Sequence, residues 1–526
     1  MEVPLTPLEF ARRTRRLHPE REAVVDGDVR LTYRRFFERC DRWSAALQGL
    51  GVGSGDRVAY IAPNTLADLE SFYAVPQIGA VLVPINFRLT ADDFGYILDH
   101  SGARVVCVSA EYVDAVESLR PQLPGVAHYV ALDGPARPGW TSYEAALAAS
   151  PPAFRAPSPA IAEDDLLSIN YTSGTTARPK GVMITHRNAA LNVIGTLLHL
   201  RLGVGDRYLW TLPMFHANGW TFVWIVTAAG ATHVCLPKPA PARVFELVRR
   251  ERIGWLCAAP TVVISLASAP DGVRGDVPRG VRVITAGAPP AAATIERLES
   301  DLGWELTQVY GLTETAPFIS VCEPRPEHAG LPPAERARIK ARQGVELLTS
   351  GELRVTDEQG REVPPDGVAL GEIVVRGNVV MKGYYRDPEA TAKAMGDGWF
   401  HTGDAAVVHP DGYVEIRDRI KDVIISGGEN ISSVEVEGVL LRHPSVLEAA
   451  IVGMPDERWG EAPHAFVVLR EGRAADEAEL IGFTRDRLAH FKAPKRVHFV
   501  GELPKTATGK TQKYVLRNGR SAISRQ

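Results

Sequence analysis

The chain has 526 residues, 45% of them hydrophobic and 23% charged, which are the values of a globular protein too long for one ordinary core. Lys and Arg number 59 against 63 Asp and Glu, a net charge of −4 that gives no support to nucleic acid as the main partner. The five cysteines (Cys40, Cys107, Cys235, Cys257, Cys322) are scattered without a C-x-x-C pair, so reduced thiols in a cytoplasmic protein are the simplest account.

The N-terminus is charged and carries no apolar signal core. Thr6-Pro7-Leu8-Glu9 predicts a helix start with an N-cap, a proline at the first position and a capping-box glutamate. Thr90-Ala91-Asp92-Asp93 predicts a second such start, ahead of Phe94-Gly95-Tyr96-Ile97-Leu98. Short apolar runs at Val58-Ala59-Tyr60-Ile61, Val81-Leu82-Val83 and Val105-Val106-Cys107-Val108 read as strands. Proline and alanine enrichment over 150–162 marks a linker. After it, Leu166-Leu167-Ser168-Ile169-Asn170 reads as a buried strand running into Tyr171-Thr172-Ser173-Gly174-Thr175-Thr176-Ala177-Arg178-Pro179-Lys180-Gly181-Val182. The segment 208–234 contains no Asp, Glu, Lys or Arg, but Pro213, His216, Asn218, Gly219 and His233 argue for a buried core facing a cavity, not a lipid-spanning helix. Trp255-Leu256-Cys257-Ala258-Ala259 and Val281-Arg282-Val283-Ile284-Thr285 are further strands, and helical patterns separate most of them. Such alternation predicts α/β layers with mostly parallel sheets, which bind ligands beyond the carboxyl ends of their strands. From Gly351 the pattern turns to short alternating strands, a β-rich subdomain. Beyond the charged stretch Asp418-Arg419-Ile420-Lys421-Asp422 a helix capped at Ser432 and strands such as Ala465-Phe466-Val467-Val468-Leu469 predict a small mobile α+β domain.

The stretch after Asn170 carries the strongest chemistry. Four hydroxyl side chains, two glycines and a lysine fall between Thr172 and Gly181. Glycines let backbone N–H groups wrap an anion, hydroxyls add donors and Lys180 adds charge, so polyphosphate is the ligand it suits best. It is not a G-x-x-x-x-G-K-[ST] loop. A flexible surface linker is the competing reading, but linkers rarely sit between two apolar segments.

Tyr-Thr-Ser-Gly-Thr-Thr-x-x-Pro-Lys-Gly-Val resembles the phosphate loop of the adenylate-forming enzymes: acyl-CoA synthetases, peptide-synthetase adenylation domains and firefly-type luciferases. The resemblance covers essentially the whole chain and is nearest the AMP-forming acyl-CoA ligases. It implies that Thr172, Ser173, Gly174, Thr175, Thr176 and Lys180 cradle the phosphates of ATP. In Pro213-Met214-Phe215-His216-Ala217-Asn218-Gly219-Trp220 it makes His216 a gate beside the reacting carboxylate. Trp220 either lines the acyl pocket or simply packs. Gly287, Ala288 and Pro289 would lie flat against adenine, with Gly287 also bordering the acyl group. Within Gln308-Val309-Tyr310-Gly311-Leu312-Thr313-Glu314-Thr315 the resemblance assigns Gln308, Tyr310 and Gly311 to the nucleotide, with Tyr310 stacking on adenine. It assigns Thr313 to the α-phosphate and Glu314 to Mg²⁺. Asp404 would accept the ribose hydroxyls, Arg419 would reach ribose or phosphate, and Lys421 would be the pivot between domains. Gly427 and Gly428 would line the tunnel for the pantetheine arm of CoA; Trp459-Gly460-Glu461 fits the pattern with no firm role. Lys510, in Pro504-Lys505-Thr506-Ala507-Thr508-Gly509-Lys510, would be the catalytic lysine.

The organisation so implied is an N-terminal domain over 1–417, a hinge at 418–422 and a C-terminal lid over 423–526. The activity implied is AMP-forming ligation of a medium-length or aryl carboxylic acid to CoA through an acyl-adenylate. ATP, Mg²⁺ and CoA are the cofactors and cosubstrates, with no nucleic acid, no membrane span and, from the resemblance, a homodimer. The rival within the same chemistry passes the acyl group to a carrier-protein thiol, an amine or nitrite.

Overall fold

The computed structural model describes residues 3–135, 137–172, 178–287, 292–426, 429–456, 458–505, 511–517 and 519. Among them two large sheets carry the N-terminal part. One, of eight strands, runs Gly383–Tyr384, Lys180–Thr185, Leu166–Thr172, Val81–Ile85, Arg57–Ile61, Ala103–Val108, His128–Ala131, Thr141–Ser142. It is parallel from Leu166–Thr172 onward, and antiparallel where Lys180–Thr185 folds back and Gly383–Tyr384 joins its edge. The other, of nine, has five parallel pairings from Glu305–Gly311 through Arg282–Thr285, Trp255–Cys257, Arg207–Leu209 and Thr232–Val234 to Glu22–Asp26. Antiparallel strands close both of its ends. The central strands are buried on both faces, as parallel strands covered by helices are.

Helices pack between and around these sheets through large side chains. Phe36 and Phe37, on the helix Tyr33–Gly49, both meet Tyr73 edge-on at 5.5 Å. Phe72 meets Trp224 of the helix Phe222–Ala229 at 6.1 Å. The uncharged segment is thus core, and its fully buried polar groups other than the Tyr208 hydroxyl find partners in it or in neighbouring elements. Tyr73 donates to Thr227 Oγ1 at 2.6 Å, and His233 lies between Thr227 and the Trp210 indole N–H at 3.0 and 3.2 Å. Burial holds the His233 imidazole neutral, its pKa pushed down to about 3. No helix among the described residues is long and apolar enough to cross a membrane.

Local signals decide the element ends. The Thr90–Asp93 capping box forms reciprocally, and Ser432 caps the helix Ser433–Leu440. At Thr6 the outcome differs: its Oγ1 receives the Leu8 N–H and meets His186 Nδ1 at 2.7 Å, while Glu9 pairs with Arg12 at 2.7 Å instead of closing a box. The first helix is thereby fastened to the start of the helix His186–Leu200, whose own box is Thr185 with Asn188. Residues 150–162 carry no helix or strand. All five cysteines are buried and free.

From Glu352 the chain builds an antiparallel sheet of four strands, Glu352–Thr356, Gly371–Arg376, Phe400–Val408 and Val414–Arg419. A mixed sheet of five follows, in which the long hairpin Val446–Asp456/Gly460–Leu469 carries Arg496–Phe499 in parallel. It has its own apolar core, with Ile424, Ile431, Ile451 and Val467 clustered with Val436 and Leu440 of the helix Ser433–Leu440.

Candidate active site

The strand Leu166–Thr172 and its return, Lys180–Thr185, are in register so that Thr172 faces Lys180. Ser173, Gly174, Thr175 and Thr176 lie outside the described residues. Next to this hairpin the segment after Met381 is stitched to the return strand: Lys382 N–H donates to Met183 O at 2.9 Å and Tyr385 N–H to Gly181 O at 2.7 Å. That places the Tyr384 ring under the Lys180 ammonium, 4.8 Å away, while its hydroxyl donates to Glu314 Oε1 at 2.9 Å. Burial and the adjacent Glu314 carboxylate keep the Tyr384 hydroxyl protonated. Lys180 and Glu314, far apart in sequence, are therefore joined through one ring that sequence reasoning missed.

Thr285 and Gln308 are register partners near the carboxyl ends of parallel strands. Both are buried, yet Thr285 Oγ1 and Gln308 Oε1 have no hydrogen-bond partner among the described residues. Buried polar atoms almost always have partners, so two adjacent orphans at a sheet's carboxyl end point to a ligand that supplies them. Gly287 follows, exposed; Ala288 and Pro289 lie outside the described residues. Two residues along the strand from Gln308, the Tyr310 hydroxyl donates to Asp404 Oδ2 at 2.6 Å, and Arg419 Nε binds Asp404 Oδ1 at 2.7 Å. Burial opposes charge on Arg419, but Asp404, Tyr310 and Glu314 around it more than compensate and raise its pKa. Asp404 is thus held from both sides. Its loop is held as well: Glu372 accepts the Gly403 N–H at 2.9 Å and His401 Nδ1 at 2.8 Å, and Asp397 meets His401 Nε2 at 2.9 Å. At Gly311 an added Cβ would overlap the Pro317 carbonyl oxygen, so the chain returning from the turn Thr313–Thr315 pairs Phe318 closely against this strand only because that residue is glycine. Thr313 and Glu314 stand on that turn, half-buried.

The loop bearing His216 is an unusual one. Ala217, Asn218, Trp220 and Thr221 all have left-handed backbone, with φ of 38°, 48°, 53° and 61°, and Gly219 between them has φ 56°. Non-glycine residues pay for that region, so something else must hold the turn. A closed ring of side chains does so. Ser168 Oγ donates to Asn170 Oδ1 (2.8 Å), Asn170 Nδ2 to Asn218 Oδ1 (3.2 Å) and Phe215 O (3.3 Å), and Asn218 Nδ2 back to Ser168 Oγ (2.7 Å). The His216 loop is thereby clamped to the strand that carries Thr172. Burial pushes the His216 pKa down to about 4, so the ring is neutral near pH 7. Trp220 is buried and packs edge-on against Phe318 at 5.7 Å. This turn and the Thr313 turn pack closely through Ala217, Asn218, Thr313 and Ala316, leaving no room for a water molecule between them.

In the small domain Gly427, Gly428 and Lys510 lie outside the described residues. Lys421 belongs to the short turn Ile420–Asp422 that follows Arg419. The two sides of the lysine loop are clasped: Lys505 and Thr511 form a β-bridge and Gln512 N–H donates to Pro504 O at 2.8 Å. Lys513, which the sequence did not single out, is half-buried against Glu437 at 2.8 Å and donates to Ser433 Oγ, and Ser433 N–H donates to Asp418 Oδ2 at 2.7 Å. The anchor of the lysine loop and the start of the hinge are thus tied through two residues.

The sequence and fold have known counterparts. A family profile described as AMP-binding enzyme matches residues 11–385, and one described as AMP-binding enzyme C-terminal domain matches 435–510. The chain is 44% identical to 4-hydroxybutyrate–CoA ligase 2 of Metallosphaera sedula, over 98% of this chain and 94% of that protein. It is 41% identical to the peroxisomal acetate/butyrate–CoA ligase AAE7 of Arabidopsis thaliana, over 98% and 94%. Among solved structures it superposes on the anthranilate CoA ligase AuaEII in complex with anthranoyl-AMP with a TM-score of 0.89 and 27% identity, covering 99% of both chains.

Proposed function

The chain belongs to the AMP-binding enzymes, and on that premise we propose that it is an AMP-forming carboxylic acid–CoA ligase. One observation carries the reading. Asp404, Glu314 and Lys180 come from three distant stretches, and the two orphaned acceptors, Thr285 and Gln308, sit beside the Tyr310 that holds Asp404. Together they suit a nucleoside triphosphate: an edge for the base, an aromatic face, a fixed carboxylate for the ribose, and a cation with hydroxyls for the phosphates.

A carboxylate is a poor electrophile, and attack by its oxygen on the α-phosphorus of ATP makes a mixed anhydride and expels pyrophosphate. In this chain Tyr310 stacks on adenine beside Gly287, Ala288, Pro289 and Gly311, and Asp404 with Arg419 fixes the ribose. Thr172, Ser173, Gly174, Thr175, Thr176, Lys180 and Thr313 surround the phosphates, and Lys510 neutralises the charge that develops there. Mg²⁺ arrives with ATP as part of the substrate. Glu314, one oxygen steadied by Tyr384, fits a single ligand position, and no cluster of three acidic, His or Cys groups among the described residues offers a resident metal cage. Neutral His216 packs beside the acid's carboxylate and leaves its nucleophilicity intact. The small domain then turns about Lys421, withdraws Lys510 and presents Gly427 and Gly428, along which the CoA thiol reaches the acyl carbon and displaces AMP.

The relatives' names run from acetate, butyrate and 4-hydroxybutyrate to anthranilate. We place the acid in that short-aliphatic to aryl range. Cytoplasmic location accords with five free thiols. The test is product mass after incubating an acid panel with Mg·ATP, with and without CoA. A CoA thioester and AMP are expected; adenylation of some acid with no thioester for any would refute the ligase.

A further inference from the structure

The two domains enclose a second concavity, none of whose lining residues belongs to the cleft just described. The helices Pro260–Ala267 and Ala292–Asp301 of the large domain face residues 441–447 and 470–473 of the small one across a cavity of ≈460 Å³. Four arginines line it, Arg297 from one side and Arg442, Arg470 and Arg473 from the other, and no Asp or Glu does among the described residues. The guanidinium groups of Arg442, Arg470 and Arg473 have no hydrogen bond or ion pair among those residues, and Arg297 reaches Asp301 only at 3.9 Å. The nearby His443 is engaged with Glu479 at 3.3 Å. Burial and the like charges of Arg297 and Arg473 push the Arg470 pKa below its ordinary value. Several part-buried arginines elsewhere are paired: Arg15 with Asp41, Arg207 with Glu251, Arg419 with Asp404. Like charges brought face to face across a domain boundary repel, and an anion between them would relieve that.

We infer that this cleft binds a diphosphate-bearing anion that bridges the two domains. Guanidinium forks match phosphate oxygens bidentately, and three or four of them suit two adjacent phosphates. Ile264, Leu441 and Leu447 give the cavity an apolar side, and its volume leaves room for an organic group attached to the diphosphate. Because both domains contribute arginines, the anion favours the domain arrangement that assembles them. Two sources share this chemistry, the pyrophosphate of the first half-reaction and the diphosphate of CoA. That choice rests on the ligase reading; the site itself does not.

The experiment is calorimetric titration of the full chain with inorganic pyrophosphate and, separately, with desulfo-CoA, which carries the diphosphate but no thiol. Wild type is compared with Arg297→Glu on one wall and Arg470→Glu/Arg473→Glu on the other. Acid-dependent exchange of pyrophosphate into ATP, measured without CoA, checks that the variants are folded and the catalytic cleft intact. At least one probe is expected to lose a binding equivalent, or roughly tenfold or more in affinity, in both variants while exchange stays within about twofold. The probe affected identifies the source. Equal binding of both probes by wild type and both variants would overturn the inference. Should the double variant fail to fold, Arg473→Gln at an exposed position gives the same comparison, with roughly threefold or more expected. Absence of exchange in wild type alongside arginine-dependent binding would sink the ligase reading and leave the cleft standing.

Discussion

The left-handed turn that follows His216 is held by Asn218, and Asn218→Ala tests that directly. The side chain, 2% exposed, donates at 2.7 Å to Ser168 and accepts at 3.2 Å from Asn170. Two neutral buried hydrogen bonds are worth about 1–3 kcal/mol together. Alanine at φ 48° adds roughly 1–2 kcal/mol that asparagine partly avoids. The sum, about 2–5 kcal/mol, should appear as easier local opening, since nothing else in the loop replaces the ring of bonds. Amide exchange across residues 213–225 measures it, and about 2 kcal/mol already corresponds to roughly thirtyfold faster exchange. Asn218→Gly keeps the backbone and loses only the bonds, so its acceleration should be smaller. In the exchange assay with ATP and pyrophosphate the KM for the acid should rise roughly tenfold while that for ATP holds. Amide exchange within about twofold of wild type in Asn218→Ala, with an unchanged acid KM, would refute the reasoning.

Tyr310→Phe keeps the aromatic face and removes the 2.6 Å bond to Asp404; a hydrogen bond to a buried carboxylate is worth about 1.5–3 kcal/mol, so the ATP KM should rise about tenfold with the acid KM unchanged. A pH dependence follows at His401. Burial opposes its charge, but Glu372 and Asp397 outweigh burial and raise its pKa above 6.5. A raised folded value means that its contribution is complete below about 6.5 and fades as pH climbs through the folded pKa, loosening the Glu372 that holds Gly403. The ATP KM should therefore climb on the alkaline side, and His401→Gln should flatten that limb; identical profiles would dismiss the role. Lys513→Met leaves Glu437 buried without its partner, and the lysine loop should lose its anchor: adenylation should fall tenfold or more while thioester formation from a supplied acyl-adenylate falls less.

Much of this was legible in the chain. The runs at Val58, Val81, Val105, Trp255 and Val281 became strands because β-branched and apolar residues bounded by turns leave few alternatives. Tyr310, Glu314 and Asp404 were named from motifs, and the structure brings Tyr310 and Asp404 into contact. What the sequence does not display depends on tertiary partners. Ser168 and Asn170 stand two apart in an apolar strand, hence on one face, and that pairing was a usable sign of the clamp. Nothing in Ala217-Asn218-Gly219-Trp220-Thr221 announces five consecutive left-handed residues, since only Asn and Gly favour that region. Lys513 looks like a solvent lysine until Glu437, 76 positions earlier in the chain, is seen beside it. Thr6-Pro7-Leu8-Glu9 reads as a capping box, but a neighbouring Arg12 and a distant His186 are the partners these side chains take.

The central claim is that an acid and ATP react reversibly here at the α-phosphorus, with Lys510 over the triphosphate. Isotope exchange from labelled pyrophosphate into ATP, run on wild type and Lys510→Ala across an acid panel without CoA, tests it most directly. Label should enter ATP only when an accepted acid is present, and the substitution should nearly abolish it. Exchange that ignores the acid, release of ADP in place of AMP, or full activity in Lys510→Ala would contradict it.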